Sequence, residues 1–281
     1  MLSDPYMPHT PGFAQSLVTA ALDDALAIGK STAVLAISGL QGSGKSTFAR
    51  QVVAAAQARG LRAASLSLDD VYLTRAQRQR LADRIHPLLA TRGPPGTHDL
   101  PLALATLAAI RAGRPVHLPR FDKLADERLP AARWTAIEER LDLLVFEGWF
   151  VGTPAEAEAA LVQPLNELER DADAAGIWRR WCNQALARDY PALWQCYDRL
   201  WFLQPPDFSV IPRWRWQQEQ AMQAAEPQRS SMSRSQLERF VQFYERVSRQ
   251  ALRTLPAIAD RTIALDAQRQ PRDARGQNTR R

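Results

Sequence analysis

Residues Gly39 to Ser46 read Gly-Leu-Gln-Gly-Ser-Gly-Lys-Ser and match the pattern G-x-x-x-x-G-K-[ST] at every fixed position. Such a stretch can wrap a polyphosphate. Gly39, Gly42 and Gly44 free the backbone to curl, so that successive N–H groups converge on one anion, with Gln41, Ser43 and Thr47 alongside. Lys45 is the residue that reaches the terminal phosphates, and the Ser46 hydroxyl suits one position around Mg²⁺. Lysine is otherwise scarce. Of 36 Lys and Arg residues only Lys30, Lys45 and Lys123 are lysine, and one of them sits in this loop.

Three further segments carry groups able to do chemistry. In Ser67-Leu68-Asp69-Asp70-Val71-Tyr72-Leu73-Thr74, two adjacent carboxylates follow an apolar run. An acceptor hydroxyl needs such a carboxylate to orient it and to take its proton late in phosphoryl transfer. Successive side chains of an extended segment diverge, so Asp69 and Asp70 are not expected to do the same job. The second segment, Leu143–Phe150, is a hydrophobic strand ending in Glu147 and Gly148, with Glu147 able to act on Mg²⁺ or on the acceptor. The third is a pair of polar islands, Arg92-Gly-Pro-Pro-Gly-Thr-His98-Asp99 and Pro119-Arg120-Phe121-Asp122-Lys123, where cations suited to an anionic acceptor lie in turn-like settings. His98 reads equally well as a structural histidine, and Asp99 as a helix N-cap before Leu100.

The surrounding elements alternate. Ala33–Ile37 is a short buried-type strand, and Phe48–Arg59 is an Ala-rich helical stretch closed by Gly60, so strand, loop and helix come in the order the motif needs. The helix start adds its own preference for an anion. Strands are predicted at 62–68, 116–118, 141–146, 199–203 and 261–265, and helices at 75–82, 100–111, 213–225 and 234–255, with 154–188 mostly helical. This pattern predicts an α/β fold with a mostly parallel sheet covered by helices on both faces.

Composition narrows the function. The net charge is +6, but residues 268–281 hold five arginines and one aspartate, leaving the body near neutral. That argues against a nucleic-acid partner and reads 268–281 as a basic, disordered tail. Two cysteines without metal-ligand spacing, no apolar run of membrane length and no secretory-type N-terminus set the expectation of a cytoplasmic protein with no membrane partner. Oligomeric state is not legible.

The order of phosphate loop, S-L-D-D-x-Y-L-T, R-G-x-P-G-T-H-D, P-R-F-D-K and F-E-G-W resembles the plant-type D-glycerate 3-kinases and their bacterial and fungal relatives, over about Val34 to Asp266. These sit in the P-loop kinase group with uridine kinase, phosphoribulokinase and pantothenate kinase. The resemblance implies a P-loop kinase fold with helical insertions and a lid, ATP and Mg²⁺ as cofactors, and a small acidic hydroxy substrate, glycerate, phosphorylated at its 3-hydroxyl. It implies a kinase domain over 16–267, preceded by an extension at 1–15. It assigns Lys45 to the phosphates, Ser46, Asp70 and Glu147 to Mg²⁺, and Asp69 to the catalytic carboxylate position. It further implies Arg92, His98, Asp99, Arg120, Asp122 and Lys123 around the substrate. Val210–Glu219 resembles the lid segment, with Arg213 or Arg215 over the phosphates. The chain departs from the family after P-R-F-D-K, where Leu124–Pro130 replaces a Gly-rich stretch and Arg128 stands in for its terminal arginine. Alternatives are a uridine- or pantothenate-kinase-like enzyme of the same fold, or a nucleotide-dependent nucleic-acid or assembly factor.

Overall fold

A computed structural model describes residues 12–225 and 232–272. Chain order runs α1 (Gln15–Leu26), β1 (Ala33–Gly39), α2 (Lys45–Ala58), β2 (Ala63–Ser67), α3 (Arg75–Arg84), α4 (Leu100–Arg111), β3 (Val116–Leu118), β4 (Phe121–Asp122), β5 (Glu127–Arg128) and β6 (Thr135–Ile137). It continues with β7 (Leu143–Gly148), α5 (Glu167–Ala172), α6 (Ile177–Arg188), α7 (Pro191–Trp194), β8 (Arg199–Gln204), α8 (Val210–Ala225), α9 (Arg234–Ile258) and β9 (Arg261–Ala264).

Five strands form one parallel sheet in the order β2-β7-β1-β8-β9. Every residue of β1 and β7 is buried. Alternate residues of a strand face opposite ways, so burial of all of them means that both faces are covered. The register aligns the carboxyl ends, with Ser38 opposite Gly148 and Ser67 opposite Glu147. The loops leaving β1, β2 and β7 therefore open at one edge, where ligands bind in sheets of this kind.

Several elements differ from the sequence expectation. Helix α1 was not anticipated, because its N-cap residue Ala14 supplies no side-chain hydrogen bond to mark a start. It is held from within: Phe13 packs on Phe48 at 4.8 Å, and Trp201 Nε1 donates to Asp24 at 2.8 Å. The stretch 154–166 is not the expected α-helix and has only a single turn at Glu158–Leu161. The carbonyls of Leu161 and Val162 are taken by Arg179, and those of Ala160 and Gln163 by Arg246, so arginines replace the helical ladder. The strand at 116–118 pairs antiparallel with β6 outside the main sheet.

The chain does not leave the fold at residue 267. Leu265 bridges to Pro271, and Asp266 accepts from the N–H groups of Gln268 and Gln270, so 268–272 is a folded strap rather than part of a tail. The rest of the expected tail, 273–281, and most of the expected extension, 1–11, lie outside the described residues.

Candidate active site

The phosphate loop connects β1 to α2. Gly42 and Gly44 have φ of 79° and 92°, the left-handed region that disfavours any residue with a Cβ. Gly44 is the N-cap of α2 and offers no side chain, so the first-turn N–H groups remain available to an anion. A cleft of about 440 Å³ lies against Gln41, Gly42, Gly44, Lys45, Ser46 and Thr47. Ser46 Oγ donates to Glu147 Oε1 at 2.8 Å, joining the end of β7 to the loop. Burial lowers the Lys45 ammonium from its ordinary value, partly countered by the charges of Glu147 and Asp69. A hydroxyl and a carboxylate are hard oxygen donors of the kind Mg²⁺ takes beside phosphate and water. Ser46 and Glu147 therefore fit that ion.

The other end of the cleft is bordered by Asp69, Tyr72, Arg92, Lys123, Trp149 and Tyr244. Asp69 accepts from Tyr72 Oη at 2.6 Å and from Lys123 Nζ at 2.7 Å. Burial alone would raise this carboxyl, but Lys123, Tyr72 and Lys45 hold it well below the usual carboxylate range. Lys123 is raised in turn, its burial outweighed by the charge of Asp69. Arg92 donates to the Asp126 carboxylate and, at 3.1 Å, to the Lys123 carbonyl, tying one cation to the loop that carries the other. The Tyr244 hydroxyl donates to the Arg92 carbonyl at 3.0 Å. Neighbouring Gly93, at φ 115°, has no room for a side chain, since a Cβ there would lie 2.5 Å from the Tyr244 ring. Trp149 is buried and packs edge-on against Tyr244 at 5.1 Å, with its indole N–H lacking a partner among the described residues.

Not all the expected site residues meet here. Asp70 is turned away, accepting from Arg120 at 3.0 Å and from the N–H groups of Phe121 and Ser67, and it does not border the cleft. Asp70 and Arg120 together fasten the turn after β2 to β4. Asp122 accepts from the N–H groups of Leu124 and Ala125 and shapes a turn. Asp99 caps α4 through Leu102 N–H at 3.1 Å and pairs with Arg128 at 2.8 Å, and neither borders the cleft. His98 lies behind the site, its ring 4.8 Å from that of Tyr72 and its Nδ1 2.7 Å from Tyr190 Oη. Burial pushes its pKa down to about 3, so it stays neutral. Of the two candidate lid arginines, Arg215 borders the cleft, whereas Arg213 donates to the Ala267 carbonyl at 2.6 Å. Gly39 and Ser43 face one another beneath the loop and do not border the cleft.

The sequence reading missed Tyr72, Trp149, Trp214, Tyr244 and Arg269, all of which border the cleft. Tyr72 and Trp149 lie inside motifs already quoted, so their positions were visible though not their roles. Tyr244 sits on α9 with no local signal, and Arg269 fell in the supposed tail.

A parallel sheet with this loop on its central strand, opening onto a carboxylate flanked by cations, defines a P-loop kinase. No family model matches the chain. It is 33% identical over 201 residues to the uncharacterized kinase mug58 of Schizosaccharomyces pombe, covering 68% of this chain and 71% of that protein. It is 29% identical over 254 residues to the chloroplastic D-glycerate 3-kinase of Arabidopsis thaliana, covering 83% of this chain but only 52% of the plant protein. The solved D-glycerate 3-kinase from Cryptococcus neoformans superposes with a TM-score of 0.72 at 26% identity, over 91% of this chain and 95% of that one. The chain belongs to the D-glycerate 3-kinase family of P-loop kinases.

Proposed function

We propose that this protein transfers the γ-phosphate of ATP to the 3-hydroxyl of D-glycerate, giving 3-phosphoglycerate. The observation that carries the reading is the cleft itself, which joins the phosphate loop to an ionised Asp69 held between Tyr72 and Lys123, with Arg92 alongside. Lys45 and the first-turn N–H groups of α2 would hold the phosphates, and Arg215 would cover them. Ser46 and Glu147 would hold Mg²⁺, which when bound neutralises charge between the β- and γ-phosphates. Asp69 would accept a hydrogen bond from the 3-hydroxyl and take its proton late, once the oxygen has begun to bond to phosphorus.

The acceptor carboxylate needs a cationic partner that remains once Asp69 has engaged the hydroxyl. Arg92 and Lys123 are the candidates, with the Trp149 N–H as a further donor. We take residues 13–272 as one kinase domain. Among the described residues no helix is long and apolar enough to cross a membrane, and Cys182 and Cys196 are both free, which supports a cytoplasmic setting. The test is ADP release with D-glycerate, glycerol, uridine and pantothenate, with the product identified by its phosphorylated position. D-Glycerate should dominate kcat/KM, and glycerol should fail because it leaves the cations unpaired. Equal use of glycerol, or preference for uridine, rejects the reading.

A further inference from the structure

The charges at the acceptor end do not cancel. Asp69 pairs with Lys123 there, and Arg92 borders the cleft beside them. Arg92 shares the Phe121 ring with Arg78: the two guanidiniums lie 5.7 Å and 5.8 Å from its centroid. Arg78 is fully buried, and its other N–H contacts are backbone carbonyls. Two cations so placed repel one another, and a single side chain holds them together. Asp126 accepts from Arg78 with one carboxylate oxygen and from Arg92 with the other.

Asp126 has a φ of 53°, a conformation glycine takes without strain. What the position gains over the residue easiest for its backbone is therefore one negative charge. The linked groups then add up simply. Arg78, Arg92 and Lys123 bring three positive charges, and Asp69 and Asp126 two negative ones, which leaves one positive charge. Adjoining ions are already matched, Arg120 with Asp70 and Arg128 with Asp99, while Glu127 accepts from the backbone N–H groups of Arg75 and Arg128. Without the Asp126 carboxylate the same linked groups would carry two positive charges. The surplus reaches the cleft through Arg92, whose five N–H groups serve Asp126 and the Lys123 carbonyl with only two.

We infer that Asp126 is a specificity-determining residue. It positions Arg92, and by neutralising one of two arginines it sets the acceptor subsite to the charge of one carboxylate, against acids that carry two. This rests on the carboxylate-acceptor reading above.

The test uses the full chain at saturating ATP and fixed free Mg²⁺. D-Lactate and tartronate are titrated as competitive inhibitors against D-glycerate. Both lack the 3-hydroxyl, and tartronate carries a carboxylate in place of the D-lactate methyl. Asp69 opposes that second carboxylate in every variant, so its effect cancels in the comparison. The unaltered protein should bind D-lactate more tightly than tartronate. Asp126→Asn should shift the ratio of the two inhibition constants toward tartronate by about fivefold to tenfold, between the scales of an exposed and a buried ion pair. Asp126→Gly, which relieves the backbone and also lacks the charge, should give the same shift and carries the test if Asp126→Asn melts early. Asp126→Glu should keep the ratio within about twofold even where KM for D-glycerate rises. A merely structural residue would weaken both inhibitors alike. Tighter or equal binding of tartronate by the unaltered protein, an unmoved ratio in both uncharged variants, or the same shift in Asp126→Glu overturns the inference. Failure of the unaltered protein to phosphorylate D-glycerate overturns the acceptor reading as well, and is seen before any variant is compared.

Discussion

The two ends of the cleft are built in different ways. At the phosphate end, one short stretch supplies Gln41, Gly42, Gly44, Lys45, Ser46 and Thr47 to the lining, with a single lysine among them. At the acceptor end, Asp69, Arg92, Lys123, Trp149 and Tyr244 come from distant parts of the chain and act through side chains. The first needs only a local conformation on a helix start. The second exists only when several loops are pinned, chiefly by Arg78, which is fully buried and donates to the Leu73 carbonyl at 2.6 Å, to the Ala90 carbonyl at 3.1 Å and to the Asp126 carboxylate. Binding a feature shared by all nucleotides can rest on backbone; choosing one small acid requires side chains that vary.

That contrast is most severely tested by Asp69→Asn. It should cut kcat by on the order of 10²–10⁴, the range of a lost general base, with ADP affinity nearly unchanged. The neighbouring Asp70→Asn should act differently, lowering the melting temperature through the weakened Arg120 contact while the folded protein keeps most of its turnover. Steady-state kinetics beside melting curves separate the two; a large kcat loss in Asp70→Asn with full stability means the base is misassigned by one residue.

Lys45→Ala should lower turnover by about a hundredfold or more, as expected for one major electrostatic contact, and leave the fold intact. Near-normal phosphorylation by the folded variant removes the phosphate end from the mechanism. A smaller effect is expected from Trp149→Phe, which keeps an aromatic side chain but deletes the N–H and part of the indole. KM for glycerate should rise by severalfold to about tenfold, the scale of one hydrogen bond, with nucleotide affinity unmoved. A shift in nucleotide affinity instead would put Trp149 at the wrong end.

The mildest effect concerns His98. Its pKa is held at about 3 in the fold by burial, against an ordinary value near 6.5. Below pH 6.5 the unfolded chain therefore takes up a proton that the folded chain refuses, and stability falls as pH drops toward 3. The slope from this group is at most roughly 1.4 kcal/mol per pH unit. Urea midpoints between pH 4.5 and 7.5 should fall less steeply for His98→Gln than for the unaltered protein; parallel lines rule out this account of the histidine.

Much of this was legible in the sequence. The loop conformation was legible from Gly39 to Ser46 because it is encoded in one contiguous stretch, and the places of Asp69 and Glu147 because one follows and the other ends a recognisable strand. The polar islands divide: Arg92 and Lys123 border the cleft, whereas Arg120, Asp122 and Asp99 are engaged in an ion pair, a turn and a helix cap. Residue type cannot tell a carboxylate that waits for a ligand from one already satisfied. Arg269 was lost for the opposite reason: a run of arginines at the chain end looked solvated, and only the return of the strap onto Gly42 gives one of them a position.

The scarcity of lysine has a practical consequence. Lys30 is tied to Asp198 at 2.6 Å, and the other two side-chain amines both border the cleft. Because burial lowers the Lys45 ammonium while Asp69 raises that of Lys123, Lys45 is the first of this pair to offer a neutral amine as pH rises. With the exposed Lys30 as an internal reference, acylation of Lys45 therefore reports on the cleft. The extent of its shielding by nucleotide gives an occupancy assay that needs no knowledge of the acceptor.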